Sequence, residues 1–194
     1  MRKLILTTSL LIFGFLSSYA QTVSFGVKAG ANFANLYGDL DDASMKIGFH
    51  VGGVAEIMIN DKFGVQPEIL FSDQGAKEDF EGVDISYNLS YINVPIMAKY
   101  YATENLSLEA GPQIGFLVDS KVKAKYEGDS ATTDLEDIST LDFGFNFGLG
   151  YKLNNGLNFG ARYNLGLSNV YDGEGSDDEK INNGVIQVSV GFMF

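Results

Sequence analysis

Six ionisable residues raise the first chemical question: Lys28, Lys99 and Arg162, together with Glu56, Glu68 and Glu109, fall on the same face of alternating segments. Asp142 lies near one end of that face, and Gln66 and Gln113 lie between. Gathered in an enclosed space, such a set could work as a carboxylate acid/base pair or line a gated ion path. Buried charges are tolerable only when paired, so the set also predicts a structural network of salt bridges and hydrogen bonds that plugs a narrow interior. The network is the expectation; a gated path and a catalytic pair are its alternatives.

The single histidine, His50, shares this face, and no cysteine exists to complete a metal or nucleophile set with it. It is expected to be a polar interior residue. Two acidic runs, Asp172-Gly173-Glu174-Gly175-Ser176-Asp177-Asp178-Glu179 and Asp39-Leu40-Asp41-Asp42, could gather divalent cations or bridge through them to anionic lipopolysaccharide. The first run departs from the calcium-binding EF-hand loop, lacking glycine at its sixth position and glutamate at its twelfth. Solvated acidic loops are therefore expected. No nucleophile elbow, phosphate loop or metal-ligand spacing occurs. No catalytic, cofactor-binding or metal-ligating residue is assigned, no cofactor is expected, and the chain reads as noncatalytic.

The elements that must hold these residues announce themselves by alternation, the period of a strand with one face in an apolar medium. In Val23 to Ala34 the odd positions, among them Phe25, Val27 and Phe33, are apolar, and the even ones are small or polar. Further segments run from Ile47 to Ile59, Phe63 to Phe71, Ile85 to Tyr101, Leu106 to Val118, Leu141 to Tyr151, Leu157 to Leu167 and Val185 to Phe194. In the fourth, the apolar face carries Ile85, Tyr87, Leu89 and Tyr91, then shifts to Ile92, Val94 and Ile96. A shift by one residue would invert every side chain, so a β-bulge is expected at Tyr91-Ile92.

Connections alternate too. Asn60 to Lys62, Ala102 to Asn105 and Asn154 to Gly156 read as tight turns. Tyr37 to Lys46, Asp73 to Asp84, Ser120 to Ser139 and Val170 to Asn182 read as long loops, and hold eighteen Asp and Glu against six Lys. That difference equals the formal charge of the whole chain, -12. Such a charge argues against a nucleic-acid partner, whose phosphates it would repel. Short turns at one end and long loops at the other are the pattern of an outer-membrane barrel, with the turns facing the periplasm.

Residues 1–20 read as a cleavable signal peptide: Arg2 and Lys3 precede the apolar run Leu4 to Leu16, and Ser18-Tyr19-Ala20 supplies a small-x-small cleavage site. Beyond it no segment is long and apolar enough for a transmembrane helix, so insertion would require strands closed into a barrel. A soluble lipocalin-type barrel would also alternate, but with its apolar face inward. The many phenylalanines on the apolar face would overfill an eight-stranded interior, and the glycines opposite suit a narrow one. The fold expected over residues 21–194 is therefore an all-β, eight-stranded antiparallel up-and-down transmembrane β-barrel. Tyr91, Tyr100, Tyr101, Tyr151, Tyr163 and Tyr171 are expected to form interfacial girdles.

Four segments carry a family resemblance: Gly26-Val27-Lys28-Ala29-Gly30-Ala31-Asn32; Gln66-Pro67-Glu68-Ile69-Leu70-Phe71-Ser72-Asp73-Gln74-Gly75; Tyr91 through Tyr101; and Gly111-Pro112-Gln113-Ile114-Gly115-Phe116. In these the sequence resembles the PorT-like outer membrane β-barrel family common in Bacteroidetes. The resemblance implies an outer-membrane barrel, and the family name is linked to protein secretion and gingipain maturation. One barrel design hosts many functions, so that role does not transfer on shape. The terminal Phe194, after alternating aromatics, looks like the C-terminal signal read by the barrel assembly machinery. Expected partners are outer membrane lipid and lipopolysaccharide, that machinery during biogenesis, and an envelope protein. Surface interaction or envelope organisation is the expected role, with an accessory secretion subunit or a narrow pore as alternatives.

Overall fold

The computed structural model describes residues 22–38, 44–80, 83–126, 129–173 and 180–194. The proposed signal peptide, the Asp39–Asp42 run and most of the acidic run after Asp172 lie outside the described residues. Among the described residues there are nine strands: β1 (Val23–Gly38), β2 (Ser44–Met58), β3 (Phe63–Phe80), β4 (Val83–Tyr101), β5 (Leu106–Tyr126), β6 (Asp129–Asp134), β7 (Leu141–Lys152), β8 (Leu157–Gly166) and β9 (Ile181–Met193). All pairings are antiparallel. β1 pairs with both β2 and β9, and β4 pairs with both β3 and β5, so eight strands close into a ring with β6 outside it.

Orientation follows from the alternation. Outward positions include Phe25, Ile47, Phe49, Ile69, Phe147 and Leu149, all at least half exposed. Inward positions include Glu56, Glu68 and His50, each 1 % exposed. An apolar band of this extent does not face water in a soluble monomer, and a lipocalin interior would not carry these charges. The soluble alternative is excluded.

β4 corrects the expected bulge. Leu89, Tyr91, Asn93, Pro95, Met97, Lys99 and Tyr101 are all buried on the inner face, so its alternation runs without interruption. The register does shift beside Tyr91, but the extra residue belongs to β5: Ser90 pairs with Asp119 and Tyr91 with Leu117, leaving Val118 between them. Ile85 and Tyr87 are only partly exposed. The apolar run in the first half of β4 thus turns into the barrel, where the sequence placed it against lipid.

Two of the expected long loops are largely strand. β3 and β4 remain paired up to Phe80 and Val83, and β5 and β6 up to Tyr126 and Asp129. A membrane crossing uses about 9 to 11 residues per strand, whereas β3, β4 and β5 have 18, 19 and 21. The surplus raises a sheet extension of up to roughly 25 Å beyond the bilayer on this side of the ring. Gly75, at φ +123, sits in it with its Cα facing the Tyr87 carbonyl so closely that a Cβ would lie 2.0 Å from the oxygen. Alanine at Gly75 meets both the forbidden dihedral and that carbonyl. Gly75→Ala is expected to expose the β3–β4 extension to limited proteolysis on intact cells while leaving the barrel's detergent-gel mobility unchanged.

The six tyrosines expected at the interfaces divide by face. Tyr100, Tyr151 and Tyr163 face outward and are 39–46 % exposed, whereas Tyr91 and Tyr101 are inward and buried, at 1 % and 4 %. Tyr171 lies outside the ring strands, bridged to Ile138. At the chain end, Phe194 is exposed and its backbone N–H donates to the Phe25 carbonyl, tying the terminus to the first strand. Removing Phe194 is expected to reduce assembly, read as a smaller heat-modifiable fraction in isolated outer membranes.

Candidate functional site

The lower barrel is filled with charge. Glu68, projecting from β3, accepts Lys28 Nζ at 2.8 Å and both guanidinium nitrogens of Arg162, at 3.0 and 2.8 Å. Arg162 also reaches Glu109 at 3.3 Å, and Lys99 bridges Glu109 at 3.3 Å and Glu56 at 2.8 Å. Lys152 and the Tyr101 hydroxyl complete the shell of Glu56. Gln66 joins the two halves, donating to Glu68 at 2.7 Å and accepting from Lys99 at 3.0 Å. Strands β1, β2, β3, β4, β5, β7 and β8 each contribute at least one member. All six residues singled out from the sequence are brought together, joined by Lys152 and Tyr101, whose strand-end positions hid their inward aim.

This geometry makes a plug. Two spaces within it are about 20 and 10 Å³, on the scale of a single water. Every carboxylate in it is held by at least one cation. Gly52 shows how tight the wall is, since a Cβ there would lie 2.0 Å from the Ile69 carbonyl oxygen.

Above the plug the lining is mostly neutral and polar. His50 Nδ1 lies 2.7 Å from Asn32 Oδ1, and Asn32 also donates to Ser72 and to the Phe49 and Asp73 carbonyls. His50 is therefore an interior polar residue, as expected. Asn146 connects Gln113 and Asn164 at 3.2 Å each. Asp142 accepts from Ser168 at 2.9 Å and from Asn183 at 3.2 Å. Lys46 and Asp73, both assigned to loops by the sequence pattern, form a 2.7 Å ion pair across the upper wall. Among the described residues no group of three or more His, Asp or Glu is placed to hold a metal ion.

The outer mouth is apolar, and this the sequence pattern did not reveal. Leu36, Ala76, Leu89, Tyr91 and Val170 form a buried cluster, against which Tyr87, Leu117, Leu135, Ile138 and Ile181 pack. A cavity of about 200 Å³ opens there, walled by Leu36, Tyr87 and Leu89 from the strands and by Leu135, Ile138 and Val170 from the segments over them. Glu136 is its one charged lining residue among those described. Asp137 beside it adopts φ 59, a left-handed conformation that aspartate tolerates and that turns the chain back over the mouth. The Asp172 N–H donates to the Asp137 carbonyl at 2.8 Å, which fixes the two segments together. The signal for this chamber was the apparent slip in β4, with isolated apolar residues in otherwise acidic loops. A second groove, of about 350 Å³, runs between the extended hairpins, with Lys77, Lys123 and Lys125 facing Glu78, Asp79 and Asp84. Its signs are mixed, so it selects no charge.

The closed ring recurs in known proteins. The chain is similar in fold to neisserial surface protein A, with a TM-score of 0.59 and 15 % identity over 89 % of this chain and 99 % of that one. It is also similar to Ail, the attachment invasion locus protein of Yersinia pestis, with a TM-score of 0.54 and 16 % identity over 88 % and 98 % of the two chains. A major outer membrane protein from Thermus thermophilus gives a TM-score of 0.50 at 14 % identity, over 91 % and 100 %. No curated protein matches the sequence. Residues 19–172 match the family described as outer membrane protein beta-barrel domain. With that match running over most of its length, and with its strands closed into a lipid-facing ring, the chain belongs to the outer membrane protein beta-barrel domain family and resides in the bacterial outer membrane.

Proposed function

We propose that this protein is a noncatalytic surface barrel that makes its contacts through its extracellular side. The carrying observation is the division of the molecule: the lumen is occupied by paired charges, while β3 to β6 build a sheet well beyond what crossing a membrane requires. Its lipid-facing band engages outer membrane lipid, its acidic loops meet lipopolysaccharide and other surface groups, and the barrel assembly machinery inserts it. Purification of the tagged protein from native outer membranes in mild detergent is expected to recover a reproducible envelope or surface partner. Recovery of the barrel alone under crosslinking would count against the reading.

The resemblance to PorT-like barrels favours a second reading, an accessory subunit of a secretion machine. The same purification separates the two, because a subunit would bring components of one assembly in fixed stoichiometry. A pore is disfavoured by the plug. Planar-bilayer recordings of the purified protein are expected to show no conductance steps, and steady unitary steps would overturn the closed-lumen assignment.

A further inference from the structure

We infer that the apolar chamber at the outer mouth is a receptor for one bulky apolar side chain presented by a basic polypeptide. The inference rests on the surface-contact reading and names the chemistry of the partner.

The chamber is unusual for its position. The inner surface of this barrel is mostly polar or charged from the periplasmic end up to Asp142, with Val54, Leu70 and Met97 set singly among the polar groups, and a contiguous apolar cluster forms only at the outer mouth. Filling a narrow barrel needs no such cluster, since Asn, Gln and Ser with isolated apolar side chains fill the levels between plug and mouth. At about 200 Å³ the space exceeds the roughly 150 Å³ in which an engineered apolar cavity holds a benzene ring. It therefore suits one phenylalanine- or leucine-sized group, the kind of anchor that fills a pocket at the centre of a protein interface. Lipid acyl chains are poorer candidates, because reaching the mouth would draw them out of the bilayer.

Charge selects what surrounds the anchor. Glu136 lines the cavity, Asp137 follows it, and Asp172 is hydrogen-bonded to Asp137. These carboxylates repel a phosphate-bearing lipid and attract lysine or arginine flanking an apolar residue. The left-handed Asp137 supplies a separate mark of a built feature, because it bends the acidic segment so that Ile138 packs on the buried cluster.

The test uses the full mature chain in nanodiscs of zwitterionic lipid, since detergent would compete for an apolar cavity and anionic lipid would capture a basic probe. Two fluorescent pentapeptides are compared, one with phenylalanine between two pairs of lysines and one with alanine in its place. Anisotropy is expected to show at least tenfold tighter binding of the phenylalanine peptide, the scale set by burying one such side chain. Leu135→Arg, which puts a cation inside the chamber on a segment outside the ring, should abolish that difference while gel mobility reports an intact barrel. Glu136→Lys should weaken the basic peptide and leave a neutral glutamine-flanked version unchanged. Equal binding of the phenylalanine and alanine peptides, or indifference to Leu135→Arg, would overturn the assignment. A stoichiometric native partner recovered despite that failure would leave the surface-contact reading standing and the chamber without this role; absence of both would remove the two together.

Discussion

Replacing Glu68 by alanine is expected to destabilise the folded barrel by about 3 to 5 kcal/mol, the cost of breaking a buried ion pair by removing one partner. Glu68 is 1 % exposed and is the shared acceptor of Lys28 and Arg162, whose side chains are themselves almost entirely enclosed. Without it, two cations remain in a narrow lumen with only Glu109 near Arg162 to offset them. The effect should appear as a lower urea midpoint for loss of the compact gel band in vesicles. Glu68→Gln should recover part of it, because the amide keeps one acceptor while forfeiting charge. The decisive comparison is a double replacement: methionine at both Glu68 and Arg162 should cost less than the sum of the single changes, since the pair couples directly at 2.8 and 3.0 Å. Additive behaviour would mean that the two side chains do not meet in the membrane.

The second large effect lies on the opposite face of the wall. Phe145, midway along β7 on its outward side and 4.9 Å from the Phe147 ring centroid, is placed to contact lipid near the bilayer centre. Arginine there is expected to cost about 2 to 4 kcal/mol, as for a cation at the midplane of a transmembrane barrel. The neighbour Asn146 points inward at 0 % exposure and bonds to Gln113 and Asn164. Asn146→Leu should instead lose those amide contacts, and its penalty should not depend on bilayer thickness. Measuring both variants in vesicles of short- and long-chain lipid separates the faces: only Phe145→Arg should become milder as the membrane thins and its charge reaches the interface. Similar responses would contradict the assigned phase of β7.

Both predictions use a phase that alternation made legible. In residues 23–33 of β1, throughout β7 and in residues 186–192 of β9, apolar residues alternate with small or polar ones, and a one-residue error would turn a charged or glycine-lined face to lipid, so the pattern admits one phase. The plug was legible for the same reason: Lys28, Glu56, Glu68, Lys99, Glu109 and Arg162 are too costly to face lipid, and hence their side of the strand was known before their partners. Their pairing was not. Which cation meets which carboxylate depends on the stagger between strands, and that stagger brings Arg162 of β8 across the lumen to Glu68 of β3.

The outer part of the molecule shows where sequence stops deciding. Tyr87, Leu89 and Tyr91 are apolar enough to face either lipid or a dry chamber, and periodicity alone cannot separate two apolar environments. Only the closure of the ring, with Leu36 and Val170 converging on them, establishes that they line the mouth. The extended hairpins escaped for a related reason: in water both faces of a strand can be polar, so Lys77, Glu78 and Asp79 carry no alternation to betray the β3–β4 pairing, and the short alternating run 121–126 does not reveal that β5 continues through it to pair with β6. By itself the sequence determined a lipid-facing barrel with a charged interior, because a membrane penalises every misplaced charge. Tertiary structure decided the ion-pair partners, the projecting sheet and the apolar mouth, because those depend on which strands meet and where the bilayer ends.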